Sequence, residues 1–122
     1  MQYHRLIVYQ RAVEYDRLAT KLIPSVRRFD RSLASHLTRS GNSLLTAIAE
    51  GASADQPKMK AMSYRTGKRE AEECSICWEK SSREGWTPRE ETQELLNFLD
   101  EVARMLGGLI KRFDPNEDDD AA

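Results

Sequence analysis

Near the C-terminal end of the chain six apolar residues, Leu95, Leu99, Val102, Leu106, Leu109 and Phe113, follow one another at alternating steps of four and three. That spacing lays them along one side of an α-helix for nearly three heptads, and a helix with one apolar stripe must bury it against other elements. Thr87-Pro-Arg-Glu90 reads as a capping box with Pro at the first helical position, so it fixes the start of this helix. Asp114-Pro115 ends it.

Three earlier segments carry the same period. From Leu6 to Ile23, Val8, Ala12, Tyr15, Ala19 and Leu22 form a seam, with Arg5, Arg11, Glu14, Asp16, Arg17 and Lys21 mostly off it. Pro24 has no amide proton with which to continue, so this helix is expected to end or kink at Lys21 to Ile23. A second helix, capped by Asp30 or Ser32, runs through Leu33, Leu37, Leu44 and Ile48. Its Ser40, Gly41, Ser43 and Ala47 are too small to hold neighbouring helices apart, and Gly51 stands where a left-handed residue stops a helix. Glu50 is then poorly placed against the negative end of the helix dipole, and a partner such as Arg39 of another subunit, Arg65 or Arg69 is expected for it. In the third helix, capped by Asp55 with Pro57 in its first turn, Tyr64, Gly67, Ala71, Cys74 and Trp78 form the seam and Gly85 is the terminator. Gly67 costs roughly 1 kcal/mol against Ala inside a helix, which close approach of a neighbour would offset.

Four helices of about 20 residues joined by short connections predict an all-α, antiparallel up-down-up-down bundle over residues 1–114. No segment alternates with strand period. The chain of 122 residues suffices for one domain. Its composition, 39% hydrophobic and 32% charged residues, suits amphipathic rather than wholly apolar helices. No signal-type apolar run follows the N-terminus, so a cytoplasmic protein without membrane contact is expected. Residues 115–122 form an acidic tail, expected to be disordered. Without the four acids Glu117 to Asp120 the formal charge of -1 becomes about +3, too small an excess for a dedicated nucleic-acid binder.

Several stretches together resemble the bacterial four-helix-bundle family named after proteins encoded in intervening sequences of 23S ribosomal RNA genes. They are Leu6-Ile-Val-Tyr-Gln-Arg-Ala, Leu37-Thr-Arg-Ser with Ser43, Ile48-Ala-Glu-Gly51, Arg69-Glu-Ala-Glu-Glu73 with Trp78, and Met105-Leu-Gly-Gly-Leu-Ile. Arg39, Ser43, Ile48, Ala49, Glu50, Gly51, Glu73 and Trp78 are the signature positions, expected to serve structure or an interface. Ala47, His36 and Leu45 depart from the family's more usual Asn, Gln and Pro. The resemblance implies a ring of five bundles, a poorly defined cellular role and no enzymatic activity. A neighbouring, more basic branch is similar to accessory proteins of diversity-generating retroelements, pentamers that bind a reverse transcriptase and its RNA.

No residue pattern establishes catalysis. Cys74 and Cys77 lie within a helix rather than at its N-terminus, and His4 and His36 lack metal-motif spacing, so no metal or cofactor is expected. Neither His has Glu three residues before it, as a di-iron bundle requires. Glu50, Glu70 and Glu73 can approach one another, but a bundle interior more often pairs such acids with Arg. Arg27, Arg28, Arg31, Arg39, Lys58, Lys60, Arg65, Lys68 and Arg69 are the candidate nucleic-acid contacts if they gather on one end or face; the competing reading is a solvated, salt-bridged face. The aromatic residues are scattered at helical spacing rather than grouped as a stacking platform. Leu96, Phe98, Ala103 and Ile110, beside the main seam of the fourth helix, are expected to form an oligomer surface. The expected function is a non-enzymatic, self-assembling scaffold or adaptor with itself, RNA or an RNA-dependent enzyme as partner. The alternative is a nucleic-acid-binding accessory subunit of a retroelement reverse transcriptase.

Overall fold

A computed structural model describes residues 2–116. A short 3-10 turn, Gln2–Arg5, leads into four α-helices: α1 Ile7–Arg27, α2 Arg31–Ser53, α3 Pro57–Arg83 and α4 Arg89–Phe113. No strand occurs among the described residues. Each helix packs on its neighbours in sequence and α1 closes the ring against α4, with the broadest interfaces between α3 and its two neighbours. The short connections allow nothing but antiparallel neighbours, so this is a four-helix bundle. The expected tail at 117–122 lies outside the described residues; of the rest of that segment, Pro115 and Asn116 are exposed.

The seams lie where their periods place them. Val8, Ala12, Tyr15, Ala19 and Leu22 of α1, Leu37, Leu44 and Ile48 of α2, and Tyr64, Ala71, Cys74 and Trp78 of α3 are buried together with Leu95, Leu99, Val102 and Leu106 of α4. The last turn of α4 departs from expectation. Ile110, assigned to an outer face, is buried in the core, while Leu109 and Phe113 are half-buried. The 3.6-residue period drifts against a strict three-and-four alternation, so over several turns the core-facing position slips by one.

Helix α1 does not stop before Pro24 but runs through it to Arg27. Proline costs about 3 kcal/mol inside a helix. Continuing, however, keeps Ile23 and Val26 buried, and burying two such side chains returns about 3–6 kcal/mol. Only one helical hydrogen bond is lost, and Arg28 N–H still donates to the Pro24 carbonyl.

The caps differ from one another. Asp30 accepts from Leu33 N–H at 2.9 Å and starts α2 as expected. Asp55 does not cap α3: with Pro57 at the first helical position the cap falls on Gln56, whose side chain makes no capping bond. The Thr87-Glu90 capping box is also absent. Pro88 is the N-cap residue of α4, and Thr87 instead turns inward to pair its hydroxyl with that of Thr92 at 2.8 Å. At the end of α3, Gly85 has φ +77°, Trp86 N–H donates to Ser81 O and Gly85 N–H to Ser82 O. This is a Schellman termination.

Gly51 terminates nothing. It lies inside α2, which ends at Ser53, and its φ is not positive. Its lack of a side chain serves packing, because a β-carbon there would stand 2.5 Å from Cε1 of the Tyr64 ring. The carbonyls that a left-handed glycine would have helped to satisfy are met from the next helix: Lys60 Nζ donates to Gly51 O at 3.1 Å and Ala52 O at 2.9 Å. Gly67 does bring helices together as expected, its missing β-carbon lying 3.2 Å from Leu106 Cδ1 and 3.6 Å from Ala47 Cβ.

Candidate functional site

The family-signature positions converge on the contact between α2 and α3. Ile48, Gly51 and Trp78 are buried, Ser43, Ala49 and Glu73 are half-buried, and Arg39 and Glu50 are exposed. The buried members shape the core. Trp78 Nε1 donates to Tyr15 OH at 2.9 Å, joining α3 to the diagonally opposite α1 and giving two buried polar groups their partners.

Ser43 of α2 meets Glu70 of α3, beside Glu73, and with its polar neighbours forms a strip at the α2–α3 contact. Its α2 side carries His36, Ser40 and Ser43; its α3 side carries Glu70 and Glu73. The Arg39 guanidinium donates to His36 Nδ1 at 3.2 Å, and Ser40 Oγ lies 3.5 Å from His36 Nε2. Glu70 shares a hydrogen bond with the Glu73 carboxyl, which together with partial burial raises its pKa, while a hydrogen bond from Ser43 works the other way. Glu70, one turn from a second acid on α3, thus keeps its proton more readily than it would alone. Glu50, by contrast, is exposed and forms no ion pair among the described residues. The Arg65 expected as its partner is held by Asp114 at 3.0 Å.

Both thiols are free and buried. Burial pushes Cys74 up to about 12 and raises Cys77 as well. The nucleophilic form of Cys74 is therefore scarce near neutral pH. No group of three or more His, Cys, Asp or Glu side chains suited to a metal ion exists among the described residues.

The nine basic candidates do not form one patch. Arg27, Arg28 and Arg31 flank the α1–α2 turn, whereas Lys58, Lys60 and Arg65 begin α3 at the opposite end. The two groups are separated by the length of α2, whose 23 residues span about 34 Å at the helical rise per residue. Lys60 caps α2 and lies 5.7 Å from the centre of the Phe113 ring, and Arg65 is tied to Asp114, so both serve the bundle's own closure. Arg39 and Arg69 are exposed along their helices. Lys68 faces α4, where it lines a groove of about 390 Å³ with Ala103, Arg104, Gly107, Gly108 and Lys111. Sequence spacing missed Arg104 and Lys111, because nothing local indicates that α4 lies beside Lys68.

Gly107 and Gly108 are also unexplained by packing among the described residues. A β-carbon on Gly107 would meet only Lys68 Nζ, at 3.9 Å, and one on Gly108 would meet nothing. On the other side of Gly108 an apolar groove of about 470 Å³ runs between Leu6, Ile7, Val8, Met105 and Leu109, with Arg5 at its edge. Ile7 is 60% exposed there. No helix of the described residues is long and apolar enough to cross a membrane.

A four-helix bundle with a polar α2–α3 strip and apolar surface beside a double glycine defines an architectural class, and comparison with known proteins places it. The chain matches the family described as 23S rRNA-intervening sequence protein over residues 4–108 and belongs to that family. It is similar to a crystal structure of a protein of unknown function from the S23 ribosomal protein family of Bacteroides thetaiotaomicron. The TM-score is 0.79 at 20% identity, covering 86% of this chain and 99% of that one, a likeness of fold. No curated protein matches.

Proposed function

We propose that this protein is a non-enzymatic scaffold that assembles from copies of itself, as a ring of five, and presents the assembled surface to a partner. The observation that carries the reading is the uncovered apolar surface at the end of α4. Leu6, Ile7, Met105 and Leu109 line a groove with Gly108, whose missing β-carbon meets nothing among the described residues, and Gly107 beside it meets only the end of Lys68. Two helix-interior glycines cost roughly 2 kcal/mol, a cost that close approach of another helix would offset. Ile76, Met59 and Met62 of α3 are further exposed apolar residues. Five is the number implied by the family resemblance.

Light scattering on the purified protein tests this directly. One chain has a mass of 14.0 kDa. A closed ring of five identical copies would weigh about 70 kDa. A monomer at micromolar concentration would remove the reading.

A second reading, an RNA-associated accessory subunit of a reverse transcriptase, draws support from the groove that gathers Lys68, Arg104 and Lys111. Repetition around a ring multiplies weak phosphate contacts by linkage. The discriminating measurement is RNA binding against salt concentration, with Arg104→Ala expected to reduce the salt slope. Binding unchanged by that substitution would count against this groove.

A further inference from the structure

Gly41, in the middle of the small-residue stretch of α2, does not bring helices together. A β-carbon there would find its nearest neighbour across the interface, Asp16 Oδ1, at an unstrained 3.9 Å. Instead of close packing, the missing side chain leaves a groove of about 400 Å³ between α1 and α2. That volume falls within the range of small-molecule sites.

The groove has chemically distinct parts. Asp16 stands at one end, half-buried, and no cation pairs with it among the described residues; the neighbouring Arg11 is committed to Glu14 and Glu101, both at 2.9 Å. Desolvation raises the Asp16 pKa. A partly dehydrated acid without a counter-charge costs stability unless a cation arrives from outside. The Thr20 hydroxyl already donates to Asp16 O and the Thr38 hydroxyl to Ala34 O, so towards the groove both offer oxygen lone pairs. Pro24 cannot donate to Thr20 O, which leaves this carbonyl without its i+4 helical donor. Acceptors therefore stand on both walls, Asp16 and Thr20 on α1 and Thr38 on α2, where the Asn42 amide also lines the groove. Ala19, Ile23 and Leu37 supply an apolar middle, and Arg27 closes the far end with a positive charge that disfavours a second cation.

We propose that the α1–α2 groove is a binding site for a small primary amine with a single positive charge and an apolar body, its ammonium on Asp16 and its body against Ala19, Ile23 and Leu37.

2-Phenylethylamine is a suitable probe, titrated into the full-length protein at neutral pH with amide chemical shifts recorded by NMR. Saturable shifts confined to residues of α1 and α2 around Asp16 and Gly41 are expected. Asp16→Asn, which keeps size and shape, is expected to weaken binding by at least about tenfold, the worth of one charge-assisted contact. The neutral isostere 2-phenylethanol should be weaker by a similar factor. Gly41→Leu fills the groove from a β-carbon 3.9 Å from the carboxylate oxygen and should abolish binding, and circular dichroism on both variants reports whether the bundle is intact. Absence of saturable binding to the wild type at millimolar amine overturns the proposal. So does equal affinity in wild type and a folded Asp16→Asn variant, or shifts centred away from this groove.

Discussion

Gly51 of α2 lies beneath the ring of Tyr64 of α3 so closely that a β-carbon would stand 2.5 Å from Cε1 and 2.7 Å from Cδ1. Tyr64 is itself 2% exposed and packs on Phe113 with ring centres 6.2 Å apart, so the ring has little room to retreat. The contact joins the α2–α3 turn to the end of α4.

Gly51→Ala is therefore expected to destabilise the fold by about 1–3 kcal/mol, the usual cost of overpacking, despite alanine's better helix propensity. Gly67→Ala is the contrasting case. Its new β-carbon would meet the end of Leu106 at 3.2 Å, and a helix-propensity gain of up to about 1 kcal/mol offsets that crowding. Urea unfolding of the two variants checks the order: a Gly51→Ala protein as stable as wild type would refute the packing account.

The Trp78–Tyr15 bond predicts coupling across the bundle. Trp78→Phe removes the donor and Tyr15→Phe strands the buried indole N–H, each costing about 1–3 kcal/mol. A double-mutant cycle from denaturant curves should show an interaction energy of about 0.5 kcal/mol or more. Strict additivity would mean that the bond contributes no coupling.

The Glu70–Glu73 pair predicts a pH dependence with a definite sign. Glu70 has a raised pKa in the folded state, first through its hydrogen bond with Glu73 and then through burial. The native state therefore holds a proton that the unfolded chain releases. Its stabilising contribution is complete below the ordinary glutamate pKa and is lost as pH rises through the elevated folded value. Asp16, raised by desolvation, acts in the same direction. Stability is expected to decline across this window on the way to neutral pH, and Glu70→Gln is expected to flatten the decline and stabilise the protein at pH 7. Chemical denaturation at a series of pH values makes the comparison; a variant with the wild-type slope would exclude the raised Glu70 pKa.

Gly108 predicts opposite effects on folding and assembly. No described residue lies within 4 Å of its missing β-carbon, so Gly108→Ala should stabilise the single chain by up to about 1 kcal/mol. If another helix approaches closely there, the same change should lower the assembled fraction seen by light scattering. A variant that assembles as well as wild type would move the interface elsewhere.

The position of Cys74 predicts chemical silence. It is fully buried, with its pKa pushed up to about 12. Alkylation at pH 8 should be slow in the native state and accelerate on unfolding. Rapid labelling of Cys74 in the folded protein would contradict the burial.

Much of the architecture was legible because a helix carries its own ruler. The seam from Leu95 to Leu106 and that from Tyr64 to Trp78 are properties of a fixed 3.6-residue repeat, and the tertiary structure buries both. Asp30 and Gly85 act through bonds to residues a few positions away, so their functions could also be read locally. Pro24 and Gly51 are different. Each has a local meaning, a helix end, that burial of Ile23 and Val26 in one case and the Tyr64 ring in the other overrides. The candidate sites follow the same division. Sequence named the basic residues, the acids and the small residues, but their grouping depends on which helix lies opposite. Only the fold divides Arg27 from Lys58, sets Lys68 beside Arg104 and Lys111, and opens the space above Gly41 that faces Asp16. Periodicity is a property of one chain segment, whereas the space beside a side chain belongs to its neighbours.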